Sequence, residues 1–135
     1  MKRIAGWTCL TLFIIVAAGC WVVIGFLNEL GDELCGNTII AEVLSPDKQT
    51  KAVVFQRNCG ATTGFSTQVS LLPPETSLAN EGGNVFVLDR GDNGDLDVEI
   101  SWIDSTQLKI IYDHRARTFN QRGRYNGVSI IYQTR

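Results

Sequence analysis

An oxygen-rich segment near the middle of the sequence is the first place where side chains could perform chemistry. Its acidic and amide side chains are suited to a calcium ion, and they are Asp89, Asp92, Asn93, Asp95 and Asp97. Calcium is a hard cation that takes several oxygen ligands. However, the spacing departs from the calcium-loop pattern D-x-[DN]-x-[DN]-G, because Gly91 stands at the third position. A solvated turn is therefore the favoured interpretation, and a calcium site is the alternative.

A second candidate lies closer to the end of the sequence, where basic and aromatic residues alternate. We call it the arginine-rich segment, and its members are Arg115, Arg117, Phe119, Arg122, Arg124 and Tyr125. Such a set is suited to anionic lipid headgroups, a cell-wall polymer or an acidic face of an envelope protein. The competing interpretation is a solvated loop.

No pattern in the sequence predicts a catalytic centre or a cofactor. His114 is the only histidine, and no G-x-S-x-G nucleophile motif accompanies it. No helix start follows the glycines at 60, 64, 82 and 83, so they form no phosphate loop. The net charge of −2 argues against nucleic-acid binding. The sequence predicts a non-enzymatic interaction module, with an envelope enzyme or calcium-dependent protein using residues 89–97 as the alternative.

An uncharged apolar run from residue 4 to residue 27 must position everything that follows it. Crossing a bilayer as a helix takes roughly 20 apolar residues. The run follows Lys2 and Arg3, so it predicts a transmembrane helix with its first residues in the cytoplasm. Two alternatives are a cleaved signal peptide and a lipoprotein signal ending in Cys20. The run is long for a cleaved signal, and apolar residues rather than a polar linker follow Cys20.

The remaining chain is predicted to hold a polar linker over residues 28–37 and one β domain over residues 38–135. About seven short segments show strand patterning between turn signals. Residues 97–102, for example, place Val98, Ile100 and Trp102 on one face. Asn93-Gly94 is a hairpin signal. The pattern predicts an all-β fold, an antiparallel sandwich or a curled sheet.

Two of the four cysteines, Cys35 and Cys59, lie in the predicted exported part. An isolated pair in an oxidising compartment most commonly forms a disulfide. Residues 38–44 and 51–57 are predicted to be two strands joined by a turn at residues 45–49, and the outer ends of this first hairpin lie beside the two cysteines. A Cys35–Cys59 bond would therefore join the open end of the hairpin, opposite its turn.

The sequence from Ser45 to Ser70 reads S-P-D-K-Q-T-K-A-V-V-F-Q-R-N-C-G-A-T-T-G-F-S-T-Q-V-S. It resembles the core of a group of small bacterial membrane-anchored or lipoprotein-like proteins of uncharacterised function. Members usually have Gly after the Asp of the turn, where this chain has Lys48. The resemblance covers roughly Cys35 to Tyr132 and implies a bacterial source and an exported β domain, but no activity. With the apolar run, it predicts inner-membrane localisation and a β domain in the periplasm or at the cell surface.

Overall fold

The computed structural model describes residues 13–25, 34–60, 64–89 and 97–135. The chain divides into two compact units, residues 1–34 and residues 35–135. We call the second one the β unit. It begins at Cys35, before the boundary at residue 38 that the sequence predicts. Asn37, expected in a linker, therefore belongs to the folded β unit.

In the first unit, residues 13–25 form an α-helix. Within the described ranges, no helix has the length and apolar character that a membrane crossing needs. The predicted transmembrane helix over residues 4–27, and the inner-membrane localisation drawn from it, are therefore wrong. Hydropathy reports the composition of a run and not its secondary structure. Residues 4–12 and 26–27 of the predicted span lie outside the described part.

The β unit contains nine strands within its described residues, arranged in two sheets. In chain order the strands are β1 Gly36–Leu44, β2 Lys51–Asn58, β3 Phe65–Leu72, β4 Phe86–Asp89, β5 Glu99–Asp104, β6 Gln107–Tyr112, β7 Thr118–Gln121, β8 Arg124–Tyr125 and β9 Val128–Thr134. The all-β prediction is confirmed. The predicted number of about seven is too low, because the arginine-rich segment, for which no strand is predicted, contains β7 and β8.

One sheet has five strands in the order β1-β2-β3-β4-β7, and each neighbouring pair is antiparallel. The other has four strands in the order β5-β6-β9-β8. Its β6–β9 pair is parallel, which corrects the expectation of a wholly antiparallel fold. A parallel pair needs a crossover connection. Here the chain leaves β6, contributes β7 to the five-stranded sheet and returns through β8 to β9.

The core lies between the inner faces of the sheets. Val54, Val69 and Phe86 from the first sheet pack with Leu108 and Ile110 from the second, and all five are buried. Alternation along the strands explains this set, since residues two apart in a strand share a face.

The outer face of the five-stranded sheet is also partly covered. Phe55 is fully buried, although it lies outside the core cluster between the sheets. The segment that joins β3 to β4 lies along this face. Asn84 pairs with the main chain of Leu71 in both directions, at 2.9 and 3.0 Å. Gly83 donates its main-chain N–H to the Gln68 side chain.

An Asn-Gly pair does close a hairpin, but not the predicted one. Asn126 and Gly127 have φ angles of 45° and 83°, and they join β8 to β9. Two positive φ angles are typical of the type I′ turn that suits a two-residue hairpin. The hairpin predicted at Asn93-Gly94 is wrong, because β4 and β5 belong to different sheets. Residues 90–96 lie outside the described part of the chain.

Candidate functional site

The outer face of the five-stranded sheet holds a pocket of about 260 Å³, which we call the outer-face pocket. Its lining includes Arg57 from β2, Phe65 from β3, Val87 and Asp89 from β4, and Phe119 from β7. The strand register places Arg57 and Asp89 on this face, since Arg57 pairs with Ser66 and Ser66 pairs with Asp89. Residues paired across neighbouring strands point to the same side of a sheet. The pocket is therefore assembled from distant parts of the sequence.

Arg57 is held in place from two directions. Its side chain is buried, and its Nη1 donates to Oδ1 of Asn37 at 3.0 Å and to Oδ1 of Asn80 at 3.3 Å. Asn37 in turn donates to the main-chain oxygen of Ala79 at 2.9 Å. Asn80 donates to the main-chain oxygen of Cys35 at 2.8 Å. Hydrogen bonds that involve a charged partner are the stronger ones, so the guanidinium has a fixed position beside the pocket.

Two exposed phenylalanine rings flank the outer-face pocket. The exposed fractions are 48% for Phe65 and 59% for Phe119, and among the described residues of the β unit no other Phe, Tyr or Trp side chain is exposed. Single exposed apolar side chains need no explanation, but apolar groups that converge on one concavity do. Phe119 lies at a register shift, where Val87 pairs with Asn120 and Leu88 pairs with Thr118. Such a bulge redirects a side chain.

Arg117 lies over the ring of Phe119, with 4.8 Å between its guanidinium carbon and the ring centroid. The main-chain oxygen of Arg117 also accepts a hydrogen bond from the main-chain N–H of Asp89 at 2.8 Å. The arginine-rich segment therefore contributes Phe119 to the lining of the outer-face pocket, with Arg117 stacked on that ring.

Other members of the arginine-rich segment lie elsewhere. Arg122 stacks on Tyr125 at 5.6 Å from the ring centroid, and Tyr125 lines a separate small pocket with Leu71 and Pro73. The Tyr132 hydroxyl donates to the main-chain oxygen of Arg122 at 2.8 Å. Burial raises the pKa of Tyr132 to about 12, so the hydroxyl remains a donor at neutral pH.

Arg115 is engaged with a neighbouring carboxylate. Its Nε lies 3.0 Å from Oδ1 of Asp113, and its Nη2 lies 2.5 Å from Oδ2. These hydrogen bonds from Arg115 hold the pKa of Asp113 well below its ordinary value. Arg124 is exposed in β8. The structure thus divides the predicted patch into an Arg117–Phe119 pair, an Arg122–Tyr125 pair and an Arg115–Asp113 ion pair.

The predicted calcium segment is described only at its two ends. Asp92, Asn93 and Asp95 lie outside the described residues. Asp89 lines the outer-face pocket, and the main-chain oxygen of Asp97 accepts a hydrogen bond from Arg135 at 3.0 Å. Within the described ranges, no three His, Cys, Asp or Glu side chains are grouped as metal ligands would be. Calcium binding at residues 89–97 stays a prediction.

The predicted disulfide between Cys35 and Cys59 is confirmed. It lies at the open end of the β1–β2 hairpin, beside the pair Gly36 and Asn58. Cys59 also lines the outer-face pocket, so the bond fixes one wall of it. Cys20 is an exposed free thiol in the helix, and its lipidation stays a prediction.

His114 donates a hydrogen bond from Nδ1 to the main-chain oxygen of Arg135 at 2.8 Å. This contact gives it a structural partner on the surface rather than a nucleophile to activate. Sequence reasoning did not select Arg57 or Phe65. A usable signal was present, since Arg57 lies in β2 after the apolar run from Ala52 to Phe55 and two positions before a disulfide cysteine.

Comparisons of the chain with protein-family models, with curated proteins and with solved structures give no match. The resemblance based on Ser45–Ser70 therefore stays a prediction. The function must be argued from the chemistry of the site.

Proposed function

We propose that the β unit is a non-enzymatic binding module whose partner is an acidic protein segment. The observation that carries the proposal is the Arg117–Phe119 pair beside the outer-face pocket. Arginine and aromatic residues are enriched at the positions that dominate protein–protein binding energy. A guanidinium stacked on a ring keeps its N–H groups directed outward, and its planar fork matches a carboxylate.

Charge supports the choice of an acidic partner. Arg117, Arg122 and Arg124 are exposed, whereas the charge of Arg115 is compensated by Asp113. Exposed guanidinium groups attract carboxylates over roughly one Debye length, about 8 Å at physiological ionic strength. The attraction accelerates association and weakens as salt is added.

The geometry also supports binding over catalysis. The groups beside the outer-face pocket are held by structural hydrogen bonds: Arg57 to two asparagines and Gln68 to Ser66 at 2.7 Å. A fixed, partly apolar concavity with a few placed polar groups is typical of a recognition site.

The proposal is tested with the full-length oxidised protein and two synthetic peptides, acetyl-Glu-Glu-Trp-Glu-Glu-amide and acetyl-Lys-Lys-Trp-Lys-Lys-amide, titrated by NMR. We expect the acidic peptide alone to bind, with an affinity that falls as salt rises. Arg117→Ser should weaken binding at least tenfold. The matched control is Lys109→Ser, which removes a positive charge from β6 in the other sheet. Binding of the lysine peptide, or equal binding by Arg117→Ser and the native protein, would contradict the proposal.

A further inference from the structure

The outer-face pocket is small, and part of its lining is apolar. Its volume of about 260 Å³ lies below the range of roughly 300–1,000 Å³ that holds a drug-sized ligand. We propose that it receives one neutral aromatic side chain of the partner, seated between the rings of Phe65 and Phe119. This inference rests on the proposed function and names the residue type that anchors the acidic segment.

The apolar part of the lining fits such an occupant. Phe65 and Phe119 are each about half exposed, and Val87 between their strands is half-buried. An entering ring would remove all three from water, and the gain is proportional to the apolar area covered. Aromatic rings also pair favourably in offset or edge-to-face arrangements. An aromatic side chain therefore gains more binding free energy in this pocket than an aliphatic side chain of smaller area.

The charges nearby exclude a cationic occupant. Arg57 lines the pocket, Arg117 stacks on the ring of the lining residue Phe119, and Asp89 is the single carboxylate in the described lining. Arg117 already covers a face of the Phe119 ring, where a ligand cation would have to bind. Lysine or arginine would meet like charge, whereas a neutral ring flanked by acidic residues would place its neighbours beside Arg117.

Several groups that line the pocket are already held by other residues of the β unit. Gln68 on its wall donates to Ser66 and accepts from Gly83. Arg57 is fixed by Asn37 and Asn80, and the disulfide anchors Cys59. A preorganised site loses little conformational entropy on binding. A short peptide with one correct anchor should therefore bind measurably.

The experiment compares acetyl-Glu-Glu-Trp-Glu-Glu-amide with acetyl-Glu-Glu-Ala-Glu-Glu-amide on the full-length oxidised protein, followed by amide NMR shifts. We expect the tryptophan peptide to bind at least tenfold more tightly and to shift the amides of Phe65, Val87 and Phe119. Phe65→Ala should remove this tenfold advantage. The control Ile131→Ala removes an exposed apolar side chain from β9 in the other sheet and should leave the advantage intact.

The outcomes separate the two proposals. Equal binding of the two acidic peptides, both weakened by Arg117→Ser, would overturn the aromatic anchor and leave the acidic partner standing. Absence of binding by either acidic peptide would overturn both. A soluble peptidoglycan fragment that shifts Phe65 and Phe119 where the tryptophan peptide does not would overturn the anchor in favour of a glycan. Phe119→Leu, which keeps an apolar side chain, provides a second test and should reduce the advantage partially.

Discussion

The indole nitrogen of Trp102 donates a hydrogen bond to the main-chain oxygen of Val43 at 3.0 Å. Trp102 belongs to β5, at one edge of the four-stranded sheet, and Val43 belongs to β1, at one edge of the five-stranded sheet. The bond therefore connects the edge strands of the two sheets. Exposed edge strands can pair with other chains, and β1 also carries a register shift between Ile39 and Ala41. The Trp102–Val43 hydrogen bond and the register shift both make β1 a less regular edge for pairing with another chain.

Replacement of Trp102 by Phe tests the contribution of that bond. Phenylalanine retains an aromatic ring but lacks the donor, so we expect the free energy of unfolding to fall by about 1 kcal/mol. Urea unfolding followed by circular dichroism measures the change. The control Ile103→Ala alters the adjacent exposed residue and should change stability by less than half as much. An unchanged urea midpoint in Trp102→Phe would show that the bond contributes nothing.

Gly83 and Gly82 provide a matched pair on the outer face of the five-stranded sheet. A Cβ on Gly83 would lie 2.7 Å from the main-chain oxygen of Phe86 and 3.0 Å from Cβ of Gln68, whereas a Cβ on Gly82 would meet only Oε1 of Gln68, at 3.6 Å. Gly83→Ala should therefore destabilise the protein by about 1–3 kcal/mol through overpacking. Gly82→Ala should be nearly neutral. Equal urea midpoints for the two variants would contradict this account.

Local signals made the first hairpin predictable from sequence. Ser45 donates from Oγ to Oδ1 of Asp47 at 2.6 Å and accepts from the main-chain N–H of Thr50 at 3.1 Å. These contacts span only a few residues, so the residue types at the turn determine them. The disulfide followed from the same hairpin, since its ends lie beside Cys35 and Cys59.

Contacts between distant segments were not predictable in the same way. β7 has the sequence T-F-N-Q, with one apolar residue, and it is a strand because it pairs with β4. Strand propensity depends strongly on such neighbours. The parallel β6–β9 pair likewise depends on a crossover that no local pattern specifies. The hairpin predicted from Asn93-Gly94 is wrong for the same reason, since a local turn signal does not specify that β5 joins the other sheet.

The candidate site was likewise predictable from sequence only in part. Arg117 and Phe119 stand out in the sequence as a basic and aromatic pair, and the structure stacks one on the other. Arg57 and Val87 come from separate strands, and the register of the sheet places them on one face, where Phe65 at the start of β3 also lines the pocket. Composition therefore identified one side of the pocket, and topology supplied the rest.

Lys48 has a φ angle of 58°, the left-handed region that suits glycine. This conformation costs an L-residue roughly 1–2 kcal/mol, and glycine would avoid that cost. Part of the gain is lost, because glycine gives the unfolded chain more conformational entropy. Lys48→Gly should therefore stabilise the protein by about 0.5–1 kcal/mol in urea unfolding. Asn126→Gly is the control: Asn126 has a φ of 45°, but asparagine tolerates this region, so the gain should be smaller. A destabilised Lys48→Gly variant would contradict the prediction.

Loss of the disulfide should destabilise the β unit and loosen the outer-face pocket together. The two cysteines are separated by 24 positions, and closure of a loop of that size constrains the unfolded chain by about 3 kcal/mol. Replacing both Cys35 and Cys59 by Ser should lower the free energy of unfolding by that amount and speed hydrogen exchange near Arg57. Cys20→Ser, which removes the free thiol, should change neither. Equal exchange rates at Arg57 in the native and doubly substituted proteins would show that the disulfide does not hold the pocket in place.

The Asp113–Arg115 ion pair predicts how stability depends on acid. Hydrogen bonds from the Arg115 side chain and main chain place the pKa of Asp113 below its ordinary value of 3.8, so folding favours the ionised carboxylate. Its contribution is fully present above about pH 4 and is lost as the pH falls below that value. Asp113→Asn should therefore lower the urea midpoint at about pH 7, and the difference from the native protein should shrink towards about pH 2. For Arg115→Gln, the difference in urea midpoint from the native protein should shrink in the same way. The variant with both substitutions should differ little from either single variant. A difference that stays constant across this range would show that the ion pair does not govern the acid dependence.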